Sequence, residues 1–268
     1  MCFDHDSRPP ALPAERVVAP LAGGAGAELL TLRSADGTEL SAALAQTADP
    51  SLVGVVIIPD VRGLYRFYIE LAERFAEAGH PAIAFDFLAR TAGLGERGEE
   101  FDYMPHVRQT RAEQVQADVA AAVAALRERT GVERVAVVGF CFGGAQAFLL
   151  SARDDIGLDA VVGFYGRIVT PADHPMAGVV PSVLDAVPRM TLPILGLFGG
   201  DDPGIPLDTV EAFDEALDAD GPEHEIVVYP GAPHSFFDRK YEEHADACTD
   251  AWRRVLDFLE RIGTRTTA

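Results

Sequence analysis

The chain has 268 residues, 48% hydrophobic and 24% charged, a composition that excludes a disordered polymer, a collagen and a disulfide miniprotein. Its formal charge of −20, from 42 acidic against 22 basic residues, makes neither nucleic acid nor an anionic membrane an expected partner. Three cysteines occur, Cys2, Cys141 and Cys248, with no C-x-x-C pair, so neither a disulfide framework nor a cysteine zinc site is expected and a reducing cytoplasm suits the chain.

Residues 1–27, rich in proline, alanine and glycine, read as an extended N-terminal arm. The opening MCFDHDSRPP lacks the basic start and apolar run of a secretory signal. No apolar run of about 18 residues, the length that spans a bilayer, follows it. Strands over 28–33 and 38–45 flank Asp36-Gly37, a pair that favours a hairpin turn. The unbroken apolar run VGVVIIP at 53–59 predicts a strand buried on both faces. Phe67, Leu71 and Phe75 share one face of a helix over 66–79, closed by Gly79. AIAFDF at 82–87 predicts another buried strand, and a polar, glycine-rich loop fills 89–106. Val115, Val119, Val123 and Leu126 place a helix over 107–129. Strand VAVVGF at 135–140 runs straight into a small-residue turn and a further helix. Strands at 159–166, 193–200 and 225–231 follow, with helices over 207–219 and 240–262. This alternation predicts an α/β chain: a mostly parallel central sheet with helices on both faces, a three-layer sandwich. It forms one domain over 28–262 with a short tail at 263–268. In such sheets ligands bind beyond the carboxyl ends of the strands.

Three strand ends deliver reactive side chains. Gly139-Phe140-Cys141-Phe142-Gly143 has the spacing of a nucleophile elbow, with cysteine in the nucleophile position. Side chains at the flanking glycines would strike the neighbouring strand and helix, and the turn sets the thiol at a helix N-terminus, where the dipole favours thiolate. Gly199-Gly200-Asp201-Asp202 supplies an acid, and Ala232-Pro233-His234 supplies a base. The chain order of nucleophile, acid and histidine is that of α/β-hydrolases.

The stretches GFCFGG (139–144), GFYG (163–166), GGDDPGIP (199–206) and APHSFF (232–237), with PDVRGL (59–64) and FDFLAR (85–90), resemble the dienelactone hydrolase family over roughly 28–262. The resemblance implies an α/β-hydrolase fold with a Cys-His-Asp triad: Cys141 as nucleophile and His234 as base. The family's acid stands four residues before a proline, which picks Asp202 before Pro206, with Asp201 as the runner-up. The expected oxyanion donors are the backbone N–H groups of Phe142 and of Val61. Asp60 stands where the family has an acid, usually Glu, that contacts the nucleophile; Asp60 is one methylene shorter.

Family members hold a dienelactone carboxylate with arginines, one of them four residues after the histidine. Here that position is Asp238, followed by Arg239. Arg62 is the expected substitute cation, with Arg90, Arg97, Arg108 and Arg111 as further candidates. Tyr165 and Phe236 are candidate pocket aromatics. The implied activity is hydrolysis of a small carboxylic ester or lactone through a thioester acyl-enzyme, with neither metal nor organic cofactor. A general carboxylesterase or lactonase ranks above a strict dienelactone hydrolase because of Asp238. The chain leaves room for a homodimer. A thiol redox sensor and a catalytically silent binding protein on the same fold are the alternatives.

Overall fold

The computed structural model describes residues 6–18, 26–48, 53–174, 176–238 and 240–265. The strands β1 (Glu28–Arg33) and β2 (Glu39–Ala45) form the hairpin expected around Asp36-Gly37. Gly37 takes a φ of 87°, and the Asp36 carboxylate accepts from the Thr38 N–H at 3.0 Å. The remaining strands are β3 (Val53–Ile58), β4 (Ala82–Phe85), β5 (Arg134–Phe140), β6 (Ala160–Phe164), β7 (Ile194–Gly199) and β8 (His224–Tyr229). Together they make one sheet in the order β1-β2-β4-β3-β5-β6-β7-β8. β2 runs antiparallel to β1 and β4, and every other pair is parallel. Every residue of β3, β4, β6 and β7 is buried, which is why these segments read as unbroken apolar runs.

The helices are α1 (Arg66–Glu77), α2 (Ala89–Ala92), α3 (Met104–Val107), α4 (Ala112–Thr130), α5 (Phe142–Leu150), α6 (Leu207–Asp220) and α7 (Ala245–Thr264). The chain steps from β3 to β4 in one direction and from β4 over β3 to β5 in the other. Right-handed crossovers therefore put α1 and α4 on opposite faces. Phe75 of α1 meets Trp252 of α7 at 5.1 Å, while Phe148 of α5 meets Phe213 of α6 at 5.3 Å. β3 and β5 are neighbours whose chains leave toward opposite faces, so a crevice opens beyond their carboxyl ends.

Local boundaries differ from the sequence reading. The loop over 89–106 contains the single-turn helices α2 and α3. α4 starts at Ala112 because Arg111 is extended (φ −129°, ψ 144°) and its N–H donates to the Gln114 side chain at 3.1 Å. The last helix starts at Ala245, five residues later than its pattern suggested, and runs past 262 to Thr264. In the arm, Ala14–Arg16 forms a short 3-10 turn. Its Pro9, Pro10 and Leu12 are buried, the Trp252 indole donates to the Pro10 carbonyl at 3.1 Å, and Glu15 pairs with Arg253 at 2.8 Å. Among the described residues no helix is long and apolar enough to cross a membrane.

Candidate active site

β5 ends at Phe140 and α5 begins at Phe142, so Cys141 alone makes the turn, at φ 54° and ψ −111°. A residue other than glycine in this region costs on the order of 1–3 kcal/mol and persists only where its surroundings enforce it. The enforcement is visible in two glycines. A Cβ on Gly139 would lie 1.9 Å from the Gly143 carbonyl oxygen, and one on Gly143 would lie 2.2 Å from that of Ile58. Only hydrogen at both positions lets helix, elbow and β3 approach so closely. The strain exposes the thiol above the sheet at the N-terminus of a helix whose every residue is buried.

The loops after β7 and β8 meet over this sulfur. His234 Nε2 lies 3.2 Å from Cys141 Sγ, and His234 Nδ1 lies 2.6 Å from Asp202 Oδ2. Asp202 Oδ1 accepts the Gly204 N–H at 2.8 Å, and the carboxylate side chain is 1% exposed. Asp201, its neighbour, is exposed. An ionised carboxylate can only accept, so Nδ1 carries the proton between them and Nε2 is the nitrogen that faces the sulfur. Burial opposes a charge on His234, but the Cys141 sulfur and the Asp202 carboxylate favour it more strongly and raise the imidazole well above its ordinary value. The non-glycine residues at positive φ among those described are Cys141, Tyr165 and Ser235, all at this junction.

A cavity of about 500 Å³ opens beside Cys141 and His234. Val61, Phe142, Met176, Val180 and Ile205 give it apolar walls, and Tyr165, Arg167 and His174 add polar groups to the lining. A larger hollow of about 690 Å³ beside β1, β2 and α1 has no cysteine or histidine among its lining residues. No backbone carbonyl among the described residues accepts from the N–H groups of Val61 or Phe142. Phe142 opens α5, where N–H groups lack intrahelical partners.

The remaining candidates separate. Tyr165 lines the cavity, with its ring 5.1 Å from the imidazole. Phe236 does not: it is fully buried between Tyr229 and Tyr165, at 5.1 and 5.7 Å. Asp60 does not contact the sulfur. Its carboxylate accepts from the Arg62 backbone N–H at 2.8 Å and from Arg62 Nε at 3.0 Å. Arg62, expected as a cation for the substrate, is 1% exposed and absent from the cavity lining; it pairs with Asp60 and Asp238 instead. Arg90 and Arg97 are likewise consumed, by Asp36 and Asp118 and by Asp86. Arg108 and Arg111 lie outside the cavity. Arg239 lies outside the described residues. Among the described residues the arginine that lines the cavity is Arg167, which the sequence reading missed; it follows the GFYG stretch directly, two residues after Tyr165. No ion-pair partner of Arg167 occurs among the described residues. Cys248 is 2% exposed, its thiol donates to the Phe236 carbonyl at 3.4 Å, and burial pushes it up to about 12.

A mostly parallel eight-stranded sheet, helices on both faces and a strained cysteine at the β5–α5 elbow define an α/β-hydrolase fold. Residues 40–263 match the dienelactone hydrolase family, and the chain belongs to that family. It is an enzyme of the ester- and lactone-hydrolysing kind. It is 31% identical over 220 residues to the "Putative carboxymethylenebutenolidase" of Escherichia coli (strain K12), covering 81% of this chain and 79% of the other. It is 30% identical over 212 residues to the protein of that name in Yersinia pestis, covering 78% of each. The crystal structure of "Putative Dienelactone Hydrolase" from Klebsiella pneumoniae superposes with a TM-score of 0.74 at 27% identity, over 87% of this chain and 99% of that one.

Proposed function

We propose that this enzyme cleaves small carboxylic esters or lactones with Cys141 as nucleophile, His234 as proton carrier and Asp202 as the acid that orients it. The observation that carries this reading is the hydrogen-bonded chain from sulfur to imidazole to buried carboxylate, at 3.2 and 2.6 Å. The raised His234 favours an imidazole that readily takes up the proton given up at sulfur as attack begins. The thiolate attacks the carbonyl carbon, and the oxygen takes up negative charge facing the Phe142 and Val61 N–H groups. Loss of one such donor typically costs about 3 kcal/mol in the barrier. The tetrahedral species collapses to a thioester as the alkoxide leaves with the Nε2 proton. Nε2 then takes a proton from water, the hydroxide attacks the thioester, and the acid product departs as thiolate and imidazolium re-form.

The cavity supports a substrate with a compact apolar part against Val61, Met176, Val180 and Ile205 and an anionic group at Arg167. The name "Putative carboxymethylenebutenolidase" borne by the relatives describes a lactone with such a carboxylate, and a lactone ring suits apolar walls of this kind. The test is a panel of p-nitrophenyl esters and unsaturated lactones, with and without iodoacetamide. Hydrolysis that alkylation and Cys141→Ala both abolish supports the proposal. Hydrolysis that survives either one sinks it.

A further inference from the structure

Arg62 lies between two carboxylates. Its guanidinium pairs with Asp60 on its own loop and with Asp238 on the loop that carries His234. All three side chains are 5% exposed or less. The Tyr65 hydroxyl donates to the same Asp238 oxygen at 3.2 Å, and the Arg62 guanidinium lies 3.8 Å above the Tyr65 ring. One buried ion pair thus joins the segment after β3 to the segment after β8, residues 176 apart in sequence. Asp60 and Arg62 flank Val61, which lines the cavity.

Stability is a poor account of this arrangement. Among the described residues two carboxylates share one guanidinium, so one arginine serves two buried acids. Burial, with Asp60 nearby, pushes the Asp238 carboxyl above the usual carboxylate range, and Arg62 only partly offsets this. Such buried ion clusters are often replaceable by apolar side chains without loss of stability. What a guanidinium held by two carboxylates does supply is fixed geometry. Geometry matters here because displacing a catalytic group by about 1 Å costs on the order of a hundredfold in rate.

We propose that Asp238 is a positioning residue: through Arg62 it ties the loop bearing the Val61 amide to the loop bearing His234, so that oxyanion donor and base keep one spacing. The proposal rests on the hydrolytic reading above and extends it to residues that touch neither substrate nor sulfur.

The test compares Asp238→Ala and Asp238→Asn by ester kcat/KM, by the rate of Cys141 alkylation with iodoacetamide, and by thermal melting. Alkylation forms a C–S bond at a saturated carbon and releases iodide, so no oxyanion develops and the rate reports only the Cys–His pair. Asp238→Ala is expected to lower ester kcat/KM by about 10- to 100-fold. Alkylation is expected to stay within about threefold of wild type, because the contact between Cys141 and His234 is untouched. Asp238→Asn keeps an acceptor for Arg62 and Tyr65 and is expected to recover most of the activity. Wild-type kcat/KM in Asp238→Ala overturns the proposal, as does an equal fall in hydrolysis and alkylation. Should the alanine variant not fold, Arg62→Lys replaces it, since an ammonium cannot bridge both acids; the same split between hydrolysis and alkylation is expected, and its absence overturns the proposal. A wild type that hydrolyses no ester overturns the underlying functional reading, whereas an active wild type matched by Asp238→Ala overturns only the tie.

Discussion

Asp202→Asn removes one charge from the site and leaves its shape unchanged. Asp202 Oδ1 accepts the Gly204 N–H at 2.8 Å, while Oδ2 faces His234 Nδ1 at 2.6 Å. In the variant only the amide oxygen can accept from Gly204, so the amide nitrogen is left facing Nδ1. Nδ1 must then accept, and the single proton of the neutral imidazole moves to Nε2, the atom 3.2 Å from sulfur. A base protonated on its working nitrogen cannot take the thiol proton, and the carboxylate that favoured imidazolium is gone. The same change in a serine-histidine-aspartate triad costs about 10⁴ in kcat. A thiol ionises far more readily than a hydroxyl, so the expected loss here is smaller, about 10²–10³ in kcat/KM, or about 3–4 kcal/mol in the barrier. Initial rates on p-nitrophenyl acetate at neutral pH measure it, with Asp201→Asn as the control. Asp201 is exposed, so its variant should stay within about twofold of wild type. Retention of more than about a tenth of the activity by Asp202→Asn, or equal damage from Asp201→Asn, refutes the tautomer argument.

Arg167→Ala should raise KM for a carboxylate-bearing ester by about 10- to 100-fold, the worth of a charge-assisted hydrogen bond, and leave a neutral ester of the same size nearly unaffected. Steady-state kinetics on the matched pair of esters checks this, and an equal change for both esters contradicts an anion site at Arg167. A pH effect follows from His80, which is buried and has its Nδ1 3.0 Å from the Val53 carbonyl oxygen. Burial holds this imidazole below its ordinary value, so between that lower value and about 6.5 the unfolded chain binds the extra proton and the fold does not. Its contribution to stability is present above about pH 6.5 and is lost as pH falls through the folded value. Thermal melting should show wild type losing more Tm than His80→Gln between about pH 7.5 and about pH 5.5.

The legible part of the site lay in short-range pattern. Each buried strand announced itself as an apolar run, and the elbow glycines, Asp202 and His234 all sit within a few residues of such a run's end. Strand-end position and chain order were enough to draw Cys141, Asp202 and His234 to one place. The spacing before Pro206 favours Asp202 over Asp201, and the fold puts the Asp202 carboxylate beside His234 while Asp201 is exposed, because adjacent residues in a turn leave in different directions. The single-turn helices α2 and α3 escaped notice because four residues carry no periodicity.

The arginines were not legible for a different reason. Arg62, Arg90 and Arg97 were plausible cations for a substrate on position alone, yet each is neutralised by a carboxylate from elsewhere in the fold. Arg167 attracted no attention in the sequence and faces the cavity without an ion-pair partner among the described residues. Backbone patterning is a local property: alternation, glycine and apolar runs decide strand, turn and helix over a few residues, so the sequence by itself determined the layered sheet and the order of the reactive side chains along its edge. Charge pairing is a property of distance in space. Asp238 reaches Arg62 across 176 residues, and only the tertiary structure decided which guanidinium was spent inside the protein and which lines the cavity.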